Sequence, residues 1–295
     1  MLSPSLPLYQ ASNFRGRTRL EDKDYSLEAD TLYYDNKNEI GYAWRNVKLY
    51  NRKDSLTSFG DVAWYRGKDG ESKIYGKALA YQIQNKDTLW LKADTIYIVN
   101  RNNIVDSLKT KHLLAYDHVQ IFKSDFQAKC DSLAYNQKDS TLRFFQNPVL
   151  WAKGSQLTAD TIFSQMANNQ IERLHLRLNS MMVNEDTLKN YNQIKGRNIT
   201  AYFNNNRPKR VEVRSNAQSI YFAIDKDTLL VGMNKTECSD MNIAFNEKNQ
   251  LQKITQINKV DGQFVPPHEV KPDNVKLNNF KWYDKEKPTR KLMKR

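Results

Sequence analysis

One short string returns along this chain and limits what it can become. A small residue, a polar residue, then alternating aliphatic and aromatic positions make up Ala29-Asp30-Thr31-Leu32-Tyr33-Tyr34, Gly76-Lys77-Ala78-Leu79-Ala80-Tyr81 and Ala93-Asp94-Thr95-Ile96-Tyr97-Ile98. Cys130-Asp131-Ser132-Leu133-Ala134-Tyr135 and Ala159-Asp160-Thr161-Ile162-Phe163 repeat it. Looser copies run from Gly196 to Tyr202 and from Ser239 to Phe245. Between them lie Asn46-Val47-Lys48-Leu49-Tyr50, His118-Val119-Gln120-Ile121-Phe122 and Asn147-Pro148-Val149-Leu150-Trp151. A period of two is the signature of a half-buried strand. A third pattern, Asp-Ser/Thr-Leu, begins at Asp54, Asp87, Asp106, Asp186 and Asp227, with one extra residue at Asp139. Asp, Ser and Thr bond to nearby backbone, so each copy reads as a hairpin turn entering a strand.

Helical periodicity is almost absent. From Met166 to Leu178, the nearest candidate, Ile171, Leu174, Leu176 and Leu178 fit a strand at least as well. Short strands that cannot bury their own apolar side must stack on their neighbours. The expectation is therefore an all-β chain, an elongated stack of short antiparallel strands. Alternation puts Leu32, Tyr34, Val47, Leu49, Leu79, Tyr81, Ile96, Ile98, Val119, Ile121, Leu133, Tyr135, Val149, Trp151, Ile162, Tyr202, Ile243 and Phe245 on one inner face, with their immediate neighbours facing water. In an arbitrary all-β protein such a face is simply a filled core.

Composition narrows the class. At 39% hydrophobic, with 16 Tyr, 12 Phe and 5 Trp, the chain is too apolar and aromatic for disorder. Only ten glycines exclude collagen, and also the glycine-rich nonapeptides of calcium-binding β-rolls. Asp30, Asp94, Asp131 and Asp160 then read as turn caps. The net charge of +13 favours anionic partners without choosing among them. Residues 271–295 hold nine Lys/Arg against three Asp/Glu. This divides the chain into a lead-in over 1–26, as a truncated start would leave, a repetitive stack over 27–260, and a basic, partly disordered tail over 261–295. Phe280-Lys281-Trp282-Tyr283 within that tail is suited to docking as an aromatic cluster. Cys130 and Cys238 allow one bridge or none. The start shows neither a basic n-region nor an apolar h-region, so no signal peptide is visible, and no stretch reaches the length of a membrane helix.

Catalytic chemistry finds little to stand on. His112, His118, His175 and His268 lack an acid–nucleophile frame, and no zinc, P-loop, dinucleotide or nucleophile-elbow motif occurs. No enzyme activity, no cofactor and no metal are expected. Basic residues alternating with Tyr and Phe make a basic β-repeat scaffold for nucleic acid or protein the alternative. Against it, no RNA-binding strand motif is present, and the aromatics fall on the apolar side.

The run from Val119 to Ile162 resembles the OstA-like family. That family includes the periplasmic lipopolysaccharide-transport protein A and the N-terminal part of its outer-membrane partner. Its repeat pairs an Asn/Gly-Val-x-Ile/Leu strand with an Ala-Asp-x-Leu/Ile-x-Tyr string. That unit is degenerate over 46–64, ending in Gly60-Asp61-Val62-Ala63-Trp64, and clean over 118–135 and 147–163. The likeness spans roughly 27–260. It implies a β-jellyroll or "β-taco" with an open hydrophobic groove lined by the inner-face residues above, holding the acyl chains of lipid A. It further implies lipopolysaccharide transport across the periplasm of a Gram-negative cell, contributing to outer-membrane assembly. Partners would be lipopolysaccharide, other transport proteins added at open strand edges, and head-to-tail copies of the chain, with no nucleic acid. This chain is longer than the family's bridge protein, as in a longer variant or a double-length stack.

Overall fold

The computed structural model describes residues 17–21, 25–35, 37–52, 55–84, 87–102, 109–152, 154–167, 170–204, 207–226, 228–247 and 251–295. They form two compact units. The first takes residues up to 124 together with 131–138 and 288–295; the second takes 125–130 and 139–287. Both are antiparallel β-structures in which each strand pairs mainly with its neighbours in sequence, as the turn spacing requires.

In the first unit the strands are β1 (Thr18–Glu21), β2 (Tyr25–Ala29), β3 (Thr31–Asp35), β4 (Ile40–Asn51), β5 (Leu56–Arg66), β6 (Glu71–Gln84), β7 (Asp87–Asn102) and β8 (Lys109–Lys123). β9 (Phe126–Asn136) is divided between the units. The second unit adds β10 (Thr141–Phe145), β11 (Val149–Ala152), β12 (Ser155–Thr158), β13 (Thr161–Ala167), β14 (Gln170–Glu185), β15 (Tyr191–Asn204), β16 (Arg207–Asp225), β17 (Leu229–Phe245), β18 (Leu251–Ile257) and β19 (Asp261–Val265).

Every second strand carries a corner. Two consecutive residues there have positive φ: Arg45-Asn46, Gly76-Lys77, Asp117-His118, Gln146-Asn147, Leu178-Asn179, Ser215-Asn216 and Asn258-Lys259. Left-handed backbone is costly for most side chains and easiest for Gly, Asn and Asp, which explains their recurrence here. The extra residue shifts the register, as between Trp44 and Val47 against β5 and between Arg177 and Ser180 against β15. Such a bulge bends the strand, so each long strand has two arms. The repeated Asp sits on the facing strand and secures the corner. The Asp30 N–H donates to the Arg45 carbonyl at 3.0 Å, and the Asn46 amide donates to the Asp30 carboxylate at 2.8 Å. Asp160 accepts from the Asn179 amide at 3.0 Å, and Asp240 accepts from the Ser215 N–H at 2.9 Å. The Ala-Asp copies are thus corner pieces. The hairpin role belongs to the other pattern: Asp186 accepts from the Leu188 and Asn190 N–H groups and Asp139 from that of Thr141. The copies at Asp54, Asp106 and Asp227 lie outside the described residues.

The corner closes over small residues. A Cβ on Gly60 would lie 2.3 Å from Ile74 Cγ2, and one on Gly196 2.4 Å from Val213 Cγ1. The glycines on one arm therefore face the β-branched side chains of the other. Gly60→Val is expected to cost about 1–3 kcal/mol through overpacking against a stiff side chain. A urea midpoint unchanged by the substitution would contradict this, and trimming Ile74 to Ala in the same chain should recover part of the loss.

Candidate functional site

Cross-strand register shows what the bent sheets enclose. In the first unit one interior column runs Leu32, Ala43, Ala63, Ile74, Ile96 and Ala115 on the first arm. On the other arm it runs Leu27, Leu49, Ser58, Ala80, Leu91 and Ile121. In the second unit Phe144, Ile162, Leu176, Ile199, Val213 and Met241 make the matching column, each fully buried. Phe126 and Phe144 bring their rings within 6.3 Å there, and Tyr25 and Tyr65 approach at 6.1 Å in the first unit.

Of the residues expected on one inner face, Leu32, Tyr34, Val47, Leu49, Ile96, Ile98, Val119, Ile121, Ile162 and Ile243 do take interior places. Val47, Ile96, Val119, Ile121, Ile162 and Ile243 are buried; Leu32, Tyr34, Leu49 and Ile98 are half-buried. Leu133 is buried and Tyr135 half-buried on β9, and Phe245 is half-buried at the end of β17. Five residues turn the other way. Leu79 and Tyr81 pair with Lys92 and Trp90, while their neighbour Ala80 pairs with Leu91. The reason is that Gly76-Lys77 is itself a left-handed corner, so Ala78 and Ala80 take the interior places. Val149 and Trp151 are displaced in the same way by the corner at Gln146-Asn147, leaving Leu150 opposite Ala128 and Leu157 inside. Tyr202 pairs with Arg173 and Arg210 and lies beneath the Arg210 guanidinium at 4.3 Å.

Half-buried apolar side chains edge the interior of the first unit. Leu27, Leu49, Leu56 and Leu89 stand on one arm and Tyr34, Ile98 and Leu113 on the other. Sequence reasoning missed Leu27, Leu56, Leu89 and Leu113. The signal for Leu56 and Leu89 was present, since they close the Asp-Ser/Thr-Leu turns.

The outward face of the second unit is also apolar where Met181, Val183, Ile220, Phe222 and Met233 cluster. Residues 266–287 lie across it as a strap, with Leu277 buried and Val270, Val275, Phe280 and Trp282 packed alongside. Two buried glutamines hold its backbone. Gln193 Nε2 donates to the Val275 carbonyl at 2.7 Å, and its Oε1 accepts from the Leu277 N–H at 2.8 Å. Gln156 does the same for the Lys281 carbonyl at 2.8 Å and the Tyr283 N–H at 2.7 Å. The aromatic cluster singled out by sequence docks on Tyr191, whose ring lies 5.3 Å from Phe280 and 5.1 Å from Trp282.

Titratable groups serve the corners. His118 Nδ1 is 2.9 Å from the Asp94 carboxylate, and that hydrogen bond, then the negative charge, holds the imidazole above its usual pKa. Protonated His118 thus supports its corner below the ordinary imidazole pKa, and the support fades as pH rises through the raised value. An NMR titration should find His118 midway at higher pH than a free imidazole, and Asp94→Asn should bring it back down. Among the described residues no group of three His, Cys, Asp or Glu is placed to hold a metal ion. Cys130 and Cys238 are not joined in a disulfide, and burial pushes the Cys238 thiol up.

Residues 83–170, covering β7 through β13, match the family described as LptA/(LptD N-terminal domain) LPS transport protein. This segment is OstA-like. The OstA-like segment contains Leu89, Leu91, Ile96, Ile98, Leu113 and Ile121, six residues of the interior, and the all-β corner-and-arm architecture continues on either side of it. A crystal structure of LptH, described as the LptA homologous periplasmic component of the lipopolysaccharide transport device of Pseudomonas aeruginosa, is similar at 15% identity and a TM-score of 0.33. That similarity covers 40% of this chain and 79% of LptH. No curated protein matches the chain. No helix among the described residues is long and apolar enough to cross a membrane.

Proposed function

We propose that this chain binds lipopolysaccharide through its acyl chains and hands it on across the periplasm toward the outer membrane, without catalysing a reaction. What supports this is that the OstA-like segment contributes Leu89, Ile98 and Leu113 to the half-buried apolar edge of the first unit. Each acyl CH₂ moved from water onto Leu49, Leu89, Ile98 and their neighbours gains about 0.8 kcal/mol. The residues at the apex, Ala78, Ala93 and Val47, are already packed, so the cargo sits between the arm edges. Other transport proteins, or further copies of the chain, would add strands at open sheet edges.

The test is photocrosslinking with a probe amino acid at Leu49 and, as control, at Lys48, which faces the opposite way. Crosslinks to lipopolysaccharide at Leu49 and not at Lys48 are expected. Equal labelling at both, or none at either in folded protein, would remove the acyl-chain assignment.

A further inference from the structure

We propose that the outward face of β3–β8 is a binding platform for an acidic oligosaccharide. The proposal stands apart from the lipid reading, because it concerns the opposite side of the same strands. Register aligns Trp44, Val62, Tyr75, Thr95 and Tyr116 in one row across β4 to β8. Trp44, Tyr75 and Tyr116 thus occupy every second strand, roughly 9–10 Å apart given the usual strand spacing. A second row holds Tyr33, Tyr42, Trp64, Lys73 and Tyr97.

These rings are open to solvent, with Tyr33 55%, Tyr42 37%, Trp44 37%, Tyr75 40% and Tyr116 40% exposed. Tyr42 and Trp44 stack with their rings nearly parallel, 14° apart, and centroids 5.8 Å from each other. So many exposed rings on one face mark a binding surface. Their chemistry suits a sugar. A pyranose offers polarised C–H bonds on its flat side and hydroxyls at its rim, so it stacks on a ring and hydrogen-bonds to what lies between. Here Thr31 and Thr95 alternate with the rings to meet those hydroxyls. An extended glycan turns the same side down at every second sugar, in keeping with rings on every second strand. Two cations lie over the rings: Arg66 at 4.9 Å from Trp64 and Lys73 at 5.5 Å from Tyr75. Lys73 complements a carboxylate or phosphate on the sugar. A single-stranded nucleic acid would want a continuous run of free cations along its backbone. Arg66 is instead shared with Asp69 and Glu71.

The experiment is titration of the whole chain with hexagalacturonate, which carries no acyl chain, read by tryptophan fluorescence and calorimetry. Saturable binding is expected. Replacing Trp44, Tyr75 and Tyr116 together by Ala should weaken it by well over tenfold, since each lost stacking partner is worth on the order of tenfold. Tyr75→Phe with Tyr116→Phe keeps the rings and should keep the binding, and Lys73→Gln should weaken it. No saturable binding, equal affinity in the alanine variant, or binding of oligothymidylate in place of the sugar would overturn the proposal.

Discussion

Phe144→Ala is expected to destabilise the second unit by about 3–5 kcal/mol, the usual cost of truncating a fully enclosed aromatic side chain. Phe144 is 0% exposed, pairs with Ile162 across β10 and β13, and touches Phe126 on the other arm. Removing the ring leaves a hole that a stiff neighbour such as Ile162 cannot close. The measurement is the urea midpoint of the second unit at unchanged m-value. Phe163→Ala is the companion variant, since the next strand turns Phe163 outward against His175. It should cost much less. Equal losses for the two would mean that the arms do not meet as described.

Gln193→Leu is expected to cost about 2–5 kcal/mol by a different route. Leucine fits the space, but the Leu277 N–H and the Val275 carbonyl then remain buried without partners. Asymmetry of this kind makes a lost buried hydrogen bond more expensive than its net contribution. Hydrogen exchange at the Leu277 amide is the direct readout and should accelerate markedly, while amides of the interior strands in the first unit stay protected. If the Leu277 amide exchanges as slowly in the variant as before, the strap is held by its apolar side chains alone.

The all-β class was legible because Ala93 to Ile98 and Val119 to Phe122 alternate without ambiguity. Interior places were read correctly where a corner had kept its commonest residues, as at Asn46-Val47 and Ala93-Asp94. They were misread where the corner was disguised. Gly76-Lys77 looks like an Ala-Asp string but has left-handed backbone, and one residue of slip turns Leu79 and Tyr81 to the other side. Positive φ is a property of the folded backbone, and Lys77 or Leu178 gives no hint of it. The strap was hidden for a second reason. Gln156 and Gln193 have the polarity of solvent-facing residues, and only the approach of a distant segment makes them buried. The exposed Tyr33 was legible as a neighbour of inward residues, since it stands between Leu32 and Tyr34. That the exposed rings line up across strands required the register.

The glutamine clamps also separate this chain's folding into two clocks. Strands that pair with their sequence neighbours close short loops and form early, hairpin by hairpin. Gln156 must wait for partners 125 and 127 residues downstream. During synthesis, β14 to β17 therefore stand complete while Met181, Ile220 and Met233 remain bare. That interval is the window in which a chaperone would be needed, and it ends only when residues 275–283 have emerged.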